Sequence, residues 1–392
     1  MKILHISSEG IRDWEILGGR GVFERNVLPI QAKTHDVKLL TFGKTEKIKE
    51  WNVDIIGIPI DRLKPVPYEV VGEFKEENLM ALNRLDDYVE ETNWLPDIIH
   101  VHDADFVEMA IPFAKRKKIP LLYTIHLSAA AGWWFSQTRY QQYLVDWEQR
   151  ATNDADLIHV CSDYYKNKFW YGEGNPLEYW YSTPKQVRIV PNGVEPKGYD
   201  EAGTEVKHDK INIFFAGRFA KGKGIETICE IINEMPDCRF WFAGQFNGTI
   251  EQREQYPTTK QLYDLAHEQP LKVRLLGHLQ PPSKIGHWAK QMDVWVAPSW
   301  HCPFELVGLE AMACQVPLVA TKTGAFLEYC NDKNSILVNP KDKDDLILGI
   351  RKAIQQKETL IKGGLETIKN YTWQKTAQGL EEVYNELQIQ VV

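Results

Sequence analysis

The stretch INIFFAGRFAKGKGIETICEIINEM, Ile211 to Met235, decides the architecture. It opens with a continuous apolar run, INIFFAG, of the kind that forms a strand buried on both faces. A glycine-rich turn carrying Arg218 and Lys223 follows, and KGIETICEIINEM then takes up a helical period. Strand, glycine loop and helix in that order form one half-turn of a parallel, doubly wound sheet. Ligands of such sheets bind outside the carboxyl ends of the strands. Two cations, one at a strand end and one in the loop after it, suit a pyrophosphate leaving group. Ordinary surface charge is the plain alternative.

The alternation extends in both directions. Downstream, CRFWFAG, VRLLGHL, DVWVAPS, PLVAT and SILVNP read as strands, with IGHWAKQM, VGLEAMAC and DDLILGIRKAIQQ as helices between them. Upstream, KILHIS, HDVKLLTF, VDIIGIPI, DIIHVHD, PLLYTIH, DLIHVCS and QVRIVPNGV read as strands, with helical stretches such as VEMAIPFAKRKK between some of them. EPKGYDEAGTEVKHD is polar, holds Pro and Gly, and has no apolar period, which marks a linker. The fold class is therefore α/β, with two doubly wound Rossmann-like domains. The expected division is 1–195, a linker at 196–209, 210–372, and an amphipathic terminal helix at 373–392. At 392 residues the chain exceeds the size of one core, in keeping with two domains. A cleft between two such domains is the default ligand site.

Composition narrows the function. A net charge of −8 argues against a general nucleic-acid or anionic-membrane binder. The local exception is KRKK, Lys115 to Lys118, read as a helix end whose cations complement the dipole; a membrane- or acceptor-facing patch is the alternative. The six cysteines are scattered, with no C-x-x-C and no zinc spacing, which fits a reducing compartment. MKILHISSEG reads as a strand rather than a signal peptide, and no run of 18 apolar residues occurs. A cytoplasmic location is the expectation.

Several other sites carry chemistry. GGRG, Gly18 to Gly21, comes too late after the first strand for a dinucleotide fingerprint, and Glu24 stands where its last glycine belongs. A glycine loop feeding a helix still offers N–H groups to a phosphate, or it is a plain turn. His126 follows the strand LLYTI, while His100 and His102 share one face of DIIHVHD; strand-end histidines are also often structural. The triplets Asp103–Asp105 and Asp154–Asp156 have a metal-diphosphate spacing that is frequent by chance, so no metal site is assigned. In SWHCPFELVGLEAMACQVPLVA, Ser299 to Ala320, a strand feeds a helix. Phe304 to Val307, with Leu306 and Val307 at the helix start, would offer free N–H groups to a phosphate. Glu310 would accept hydrogen bonds from a ribose diol, or simply complement the helix dipole. Aromatics crowd the first half, Trp133, Trp134, Trp170 and Trp180 among them; they suit stacking on sugars, an apolar carrier, or packing.

Taken in order, GG, VHDADF, YTIH, VPNGV, GRFAKGKG, VGLEAMACQVPLVAT, NSILVNPKD and YTWQKTA resemble the retaining glycosyltransferases of the GT-B fold, family 4, related to glycogen and starch synthases. The resemblance covers nearly the whole chain. It implies a nucleotide-diphosphate sugar, such as UDP-glucose, held by the C-terminal domain. It makes Arg218 and Lys223 the pyrophosphate pair, Gly19 the loop glycine that reaches the donor phosphates, His126 the histidine near the donor sugar, and Glu310 the ribose binder. It also implies that the terminal helix crosses back to the acceptor-binding N-terminal domain. Two positions depart from the pattern. Cys302 stands where the first of two glutamates is usual, and Glu305 where glycine is usual. A thiol is a weak substitute for an ionised acceptor, and Glu305 is close enough to supply the carboxylate instead. The implied mechanism is front-face attack, with no metal and no cofactor beyond the donor. The expected acceptor is a saccharide, a lipid-linked group or another hydroxyl, with peripheral membrane contact as an option. The alternatives are a catalytically weak nucleotide-sugar- or partner-binding protein, and a phosphorylase or epimerase of the same fold.

Overall fold

The computed structural model describes residues 1–11, 18–48, 51–59, 71–128, 139–170, 186–199, 209–220, 222–246, 256–301 and 303–390. The chain divides into two compact units, Met1–Pro191 with Trp373–Val392, and Asn192–Thr372.

The strands of the first unit are β1 (Lys2–Ile6), β2 (Asp36–Phe42), β3 (Glu46–Ile48), β4 (Val53–Ile58), β5 (Ile98–His102), β6 (Leu121–Ile125), β7 (Leu157–Val160) and β8 (Val187–Ile189). They form one sheet in the order β3-β4-β2-β1-β5-β6-β7-β8, parallel except for the β3–β4 edge pair. Their apolar runs are consecutive because both faces are covered; Ile3, Leu4 and Ile6 of β1 are fully buried. The winding reverses between β1 and β5, and this switch point opens at their carboxyl ends.

The second unit contains β9 (Ile211–Ala216), β10 (Cys238–Ala243), β11 (Val273–Gly277), β12 (Val294–Ala297), β13 (Leu318–Thr321) and β14 (Ile336–Val338). Its sheet, ordered β11-β10-β9-β12-β13-β14, is parallel throughout, and its switch point lies between β9 and β12. All the strands named from the sequence form. The helix expected from KGIETICEIINEM runs over Ile225–Ile231.

The segment read as a linker begins inside the second unit. Val194 bridges Thr372, and Pro196–Tyr199 forms a 3-10 helix with Tyr199 buried. Residues 200–208 lie outside the described residues. The helix Trp373–Gln390 belongs to the first unit. There Tyr384 and Leu387 are fully buried, and Gly379 lies so near Val190 that an added Cβ would come within 2.8 Å of its methyl.

KRKK ends a helix as expected. The helix Val107–Lys117 closes on Lys118 in the left-handed region, Lys115 pairs with Asp154 at 2.9 Å, and Arg116 is bidentate on Asp86. Among the described residues, no helix is long and apolar enough to cross a membrane.

Candidate functional site

In the second unit, Arg218 and Lys223 occupy the loop after β9, at the switch point. The facing loop after β12 is fastened directly to it. Gly224 holds φ +77°, and a Cβ there would lie 2.0 Å from the carbonyl oxygen of Pro298. Only glycine permits both that backbone and that approach. Trp300 N–H donates to Gly222 O at 2.8 Å, closing the contact. This zippering brings the Lys223 ammonium onto the Glu305 carboxylate, which also accepts from Ser299 Oγ at 3.3 Å. His301 sits close enough that, beyond burial, the Lys223 charge holds its pKa down.

Glu305 is the residue preceding the helix Leu306–Ala313, and its side chain does not cap that helix. It is 7% exposed, so it is not a solvated helix-end carboxylate. Its backbone is anchored by Tyr329, whose hydroxyl donates to Glu305 O at 2.6 Å. Leu306 and Val307 form the first turn, as expected, with their N–H groups at an end that carries no side-chain cap. Arg218 is exposed, and among the described residues no ion pair holds it. Cys302 lies outside the described residues.

Glu310, one turn into that helix, accepts from the Tyr199 hydroxyl at 3.0 Å. Burial lifts its carboxyl to about 7, the negative Glu305 adds to this, and the Tyr199 bond works against it. Tyr199 was not singled out from the sequence. It lies in the polar stretch read as a linker, and only the short helix around it brings its ring to Glu310.

In the first unit, the loop glycines sit at the β1 end. Gly19 is exposed at the first helical position of Gly19–Gln31. The neighbouring N–H groups of Gly18 and Gly21 donate to Glu9 Oε2 at 3.2 and 3.0 Å. A carboxylate thus occupies the helix N-terminus, where the dipole favours negative charge.

Arg20 binds Asp103 at 3.2 Å, Asp105 at 2.9 Å and Ser8 Oγ at 2.7 Å, with Glu9 at 3.5 Å. The Asp103–Asp105 triplet is therefore spent on a guanidinium. Burial still pushes the Asp103 carboxyl up to about 7, against the pull of Arg20. In the other triplet, Asp154 pairs with Lys115 and Asp156 accepts from Leu121 N–H at 2.8 Å. Glu9 and Arg20 were missed in the sequence. The arginine between glycines in GGRG was the available signal.

His126 follows β6, partly buried. Its N–H donates to Asp103 Oδ1 at 2.8 Å, and its ring nitrogen Nε2 meets His102 Nδ1 at 3.0 Å. His100 and His102 share a face, as the alternation requires, with ring centroids 4.1 Å apart. Trp133, Trp134 and Trp180 lie outside the described residues, as does the side chain of Trp170.

A family model described as Glycosyltransferase Family 4 matches residues 30–197, and one described as Glycosyl transferases group 1 matches residues 210–356. A component of the phosphatidylinositol N-acetylglucosaminyltransferase of Homo sapiens is 30% identical over 222 residues, 54% of this chain and 43% of that protein. The chain's match therefore spans less than half the length of that relative. The glycogen synthase of Mycobacterium tuberculosis is 24% identical over 306 residues, 75% of this chain and 70% of that one. Among solved structures, sucrose-phosphate synthase from Thermosynechococcus elongatus aligns with a TM-score of 0.81 at 20% identity, covering 98% of both chains. Two family models in sequence order, two parallel Rossmann-like sheets and this structural likeness agree: the chain belongs to the GT-B-fold glycosyltransferases of the family 4 type.

Proposed function

We propose that this glycosyltransferase moves a hexose from a nucleotide-diphosphate sugar to a saccharide or other hydroxyl acceptor, with retention at the anomeric carbon and without a metal. The observation that carries the reading is the β9/β12 switch point, where Lys223, from the loop that also carries Arg218, meets Glu305 at the start of an uncapped helix and Glu310 follows one turn into that helix. Cations and helix N–H groups suit a diphosphate. A carboxylate suits the ribose diol. As the sugar–phosphate bond lengthens, negative charge collects on the leaving diphosphate, where Arg218 and Lys223 stabilise it. The acceptor proton passes to that diphosphate on the same face. The roles of Gly19 and His126, both in the first unit, rest on the family resemblance.

The test is incubation with UDP-, ADP- and GDP-sugars in EDTA against a broad acceptor panel, with the product anomer read by NMR. Transfer with a retained anomer is the expected result. No transfer and no donor hydrolysis with any donor sinks the proposal. A second reading, donor binding with little turnover, is favoured by the Lys223–Glu305 pair, which occupies one of the two cations. Donor binding in calorimetry without product would establish it.

Glu310 sets a pH dependence. Its carboxyl ionises near 7 in the free protein, and a ribose diol stabilises the ionised form, so bound donor lowers that pKa. Donor affinity therefore strengthens as pH rises toward about 7 and levels off above it, by about 3- to 10-fold between roughly pH 6 and 8. A nucleotide sugar, whose phosphates do not titrate in this window, is the ligand for calorimetry. Glu310→Gln flattens the profile; an unchanged slope in that variant removes Glu310 from ribose binding.

A further inference from the structure

One face of the first unit's sheet is lined with buried imidazoles. His5 on β1, His100 and His102 on β5 and His159 on β7 are all fully or almost fully buried. Strand register sets His5 beside His100, and Thr124 between His102 and His159. The rings are joined through two helices that cover this face. Tyr384, on Trp373–Gln390, meets His100 Nδ1 at 2.7 Å and Gln31 Nε2 at 3.2 Å. Gln31, on Gly19–Gln31, meets His5 Nε2 at 2.9 Å through its oxygen. Burial holds every ring in its neutral form, with His5 lowered to about 3 and His159 to about 4.

The hydrogen-bond direction of this network is forced from one end. His159 Nε2 lies 3.0 Å from the Val190 carbonyl, which only accepts, so that nitrogen carries the proton. His159 Nδ1 then accepts from Thr124 Oγ1 at 2.8 Å, and Thr124 in turn accepts from His100 Nε2 at 2.6 Å. His100 Nδ1 is left to accept from the Tyr384 hydroxyl, whose oxygen accepts from the Gln31 amide. The Gln31 oxygen must therefore accept from His5 Nε2. His5 Nδ1 accepts from His102 Nε2 at 2.9 Å, and His102 Nδ1 accepts from His126 Nε2 at 3.0 Å. A carbonyl on β8's trailing edge thus dictates which nitrogen of His126 holds its proton.

We propose that Thr124, Tyr384, Gln31, His5 and His102 are positioning residues that fix His126 as the Nε2–H tautomer and present its Nδ1 lone pair as an acceptor for a substrate hydroxyl. The hydroxyl contact rests on the function proposed above; the tautomer does not. The same cluster has a competing use. Ligand atoms of His5, His100 and His102 lie within 4.8 Å of one another, a spacing that a metal ion could bridge. Both nitrogens of each ring are already hydrogen-bonded, so the cluster is satisfied as it stands.

The test is two-bond 1H–15N correlation NMR on the full chain with 15N-labelled histidine, which separates protonated from bare ring nitrogens. The wild-type protein is expected to show His126 as a single species protonated at Nε2. In Tyr384→Phe the Gln31 amide loses its acceptor and is free to turn over. The opposite direction through His5 and His102 then becomes equally allowed, and a second His126 species, protonated at Nδ1, appears. Thr124→Val cuts the path at another link and gives the same mixture, whereas Thr124→Ser keeps the hydroxyl and the single species. Where donor turnover is measurable, kcat falls about 3- to 10-fold in the first two variants and not in the third, as for loss of a neutral hydrogen bond. A wild-type His126 protonated at Nδ1, a tautomer unmoved by both cuts, or retained stoichiometric zinc on His5, His100 and His102 overturns the proposal. Absence of turnover with every donor would strike the proposed function and leave the tautomer result standing.

Discussion

Arg218→Ala and Lys223→Ala each lower kcat by about 10²- to 10³-fold, the scale on which removal of one preorganised donor at a developing anion acts. The loss falls on the chemical step because diphosphate charge is greatest as the bond breaks, so donor KM moves much less. The structure separates the two variants by a second measurement. Arg218 is exposed, so Arg218→Ala keeps a wild-type thermal midpoint. Lys223 is the partner of a buried carboxylate, and removing it strands Glu305. The expected cost is about 3 kcal/mol, at the low end for breaking a buried pair because the Lys223 side chain keeps 26% exposure. Adding Glu305→Gln to Lys223→Ala restores the midpoint and leaves kcat low. Rates with each accepted donor, together with thermal melts, check all of this; a near-normal kcat in either single variant refutes the assigned role.

Glu305→Gln lowers kcat/KM for the preferred donor by about 10- to 150-fold, the loss of one hydrogen bond between a sugar hydroxyl and a charged acceptor. Glutamine keeps the size, so packing does not account for a drop. The resting contact of Glu305 with Lys223 makes the expectation sharper. On the proposed function, a diphosphate that takes the lysine releases the carboxylate for a sugar hydroxyl. Cys302→Ser is then nearly silent, because a thiol is a weak substitute for an ionised acceptor. Steady-state kinetics of the two variants decide the matter. An unimpaired Glu305→Gln enzyme would leave the sugar end of the donor pocket without an acceptor.

The strands were legible because each is buried on both faces and so appears as an uninterrupted apolar run, as in INIFFAG and DVWVAPS. Some helices were not. Val71–Thr92 is largely polar, and its apolar positions are diluted by charge. Lys357–Ile368 contains Gly363 and Gly364, which read as breakers. Each is needed for close packing: a Cβ on Gly363 would lie 2.0 Å from Lys333 O, and one on Gly364 would lie 3.0 Å from Met312. At the site, the cations and Glu310 were readable because each stands at a strand end or a helix start. The Lys223–Glu305 pair was not, since it depends on two loops, 82 residues apart, being held together. Nor was the histidine network, whose members reach from His5 to Tyr384 and gain their meaning only from strand register.

The assignment of Trp373–Gln390 to the first unit makes that unit discontinuous, with the whole of the second interposed. Gln31 and Tyr384 are separated by 353 positions, so their bond forms only after the whole second unit has been synthesised. The sheet begun at β1 must wait with its imidazole-lined face covered by only one of its two helices, while a separate core is synthesised and folds. Closing so long a loop adds little entropy per extra residue, but it delays the gain from burying Leu380, Tyr384 and Leu387. A polypeptide cut before Trp373 would therefore carry the second unit entire and leave His100 without the Tyr384 hydroxyl.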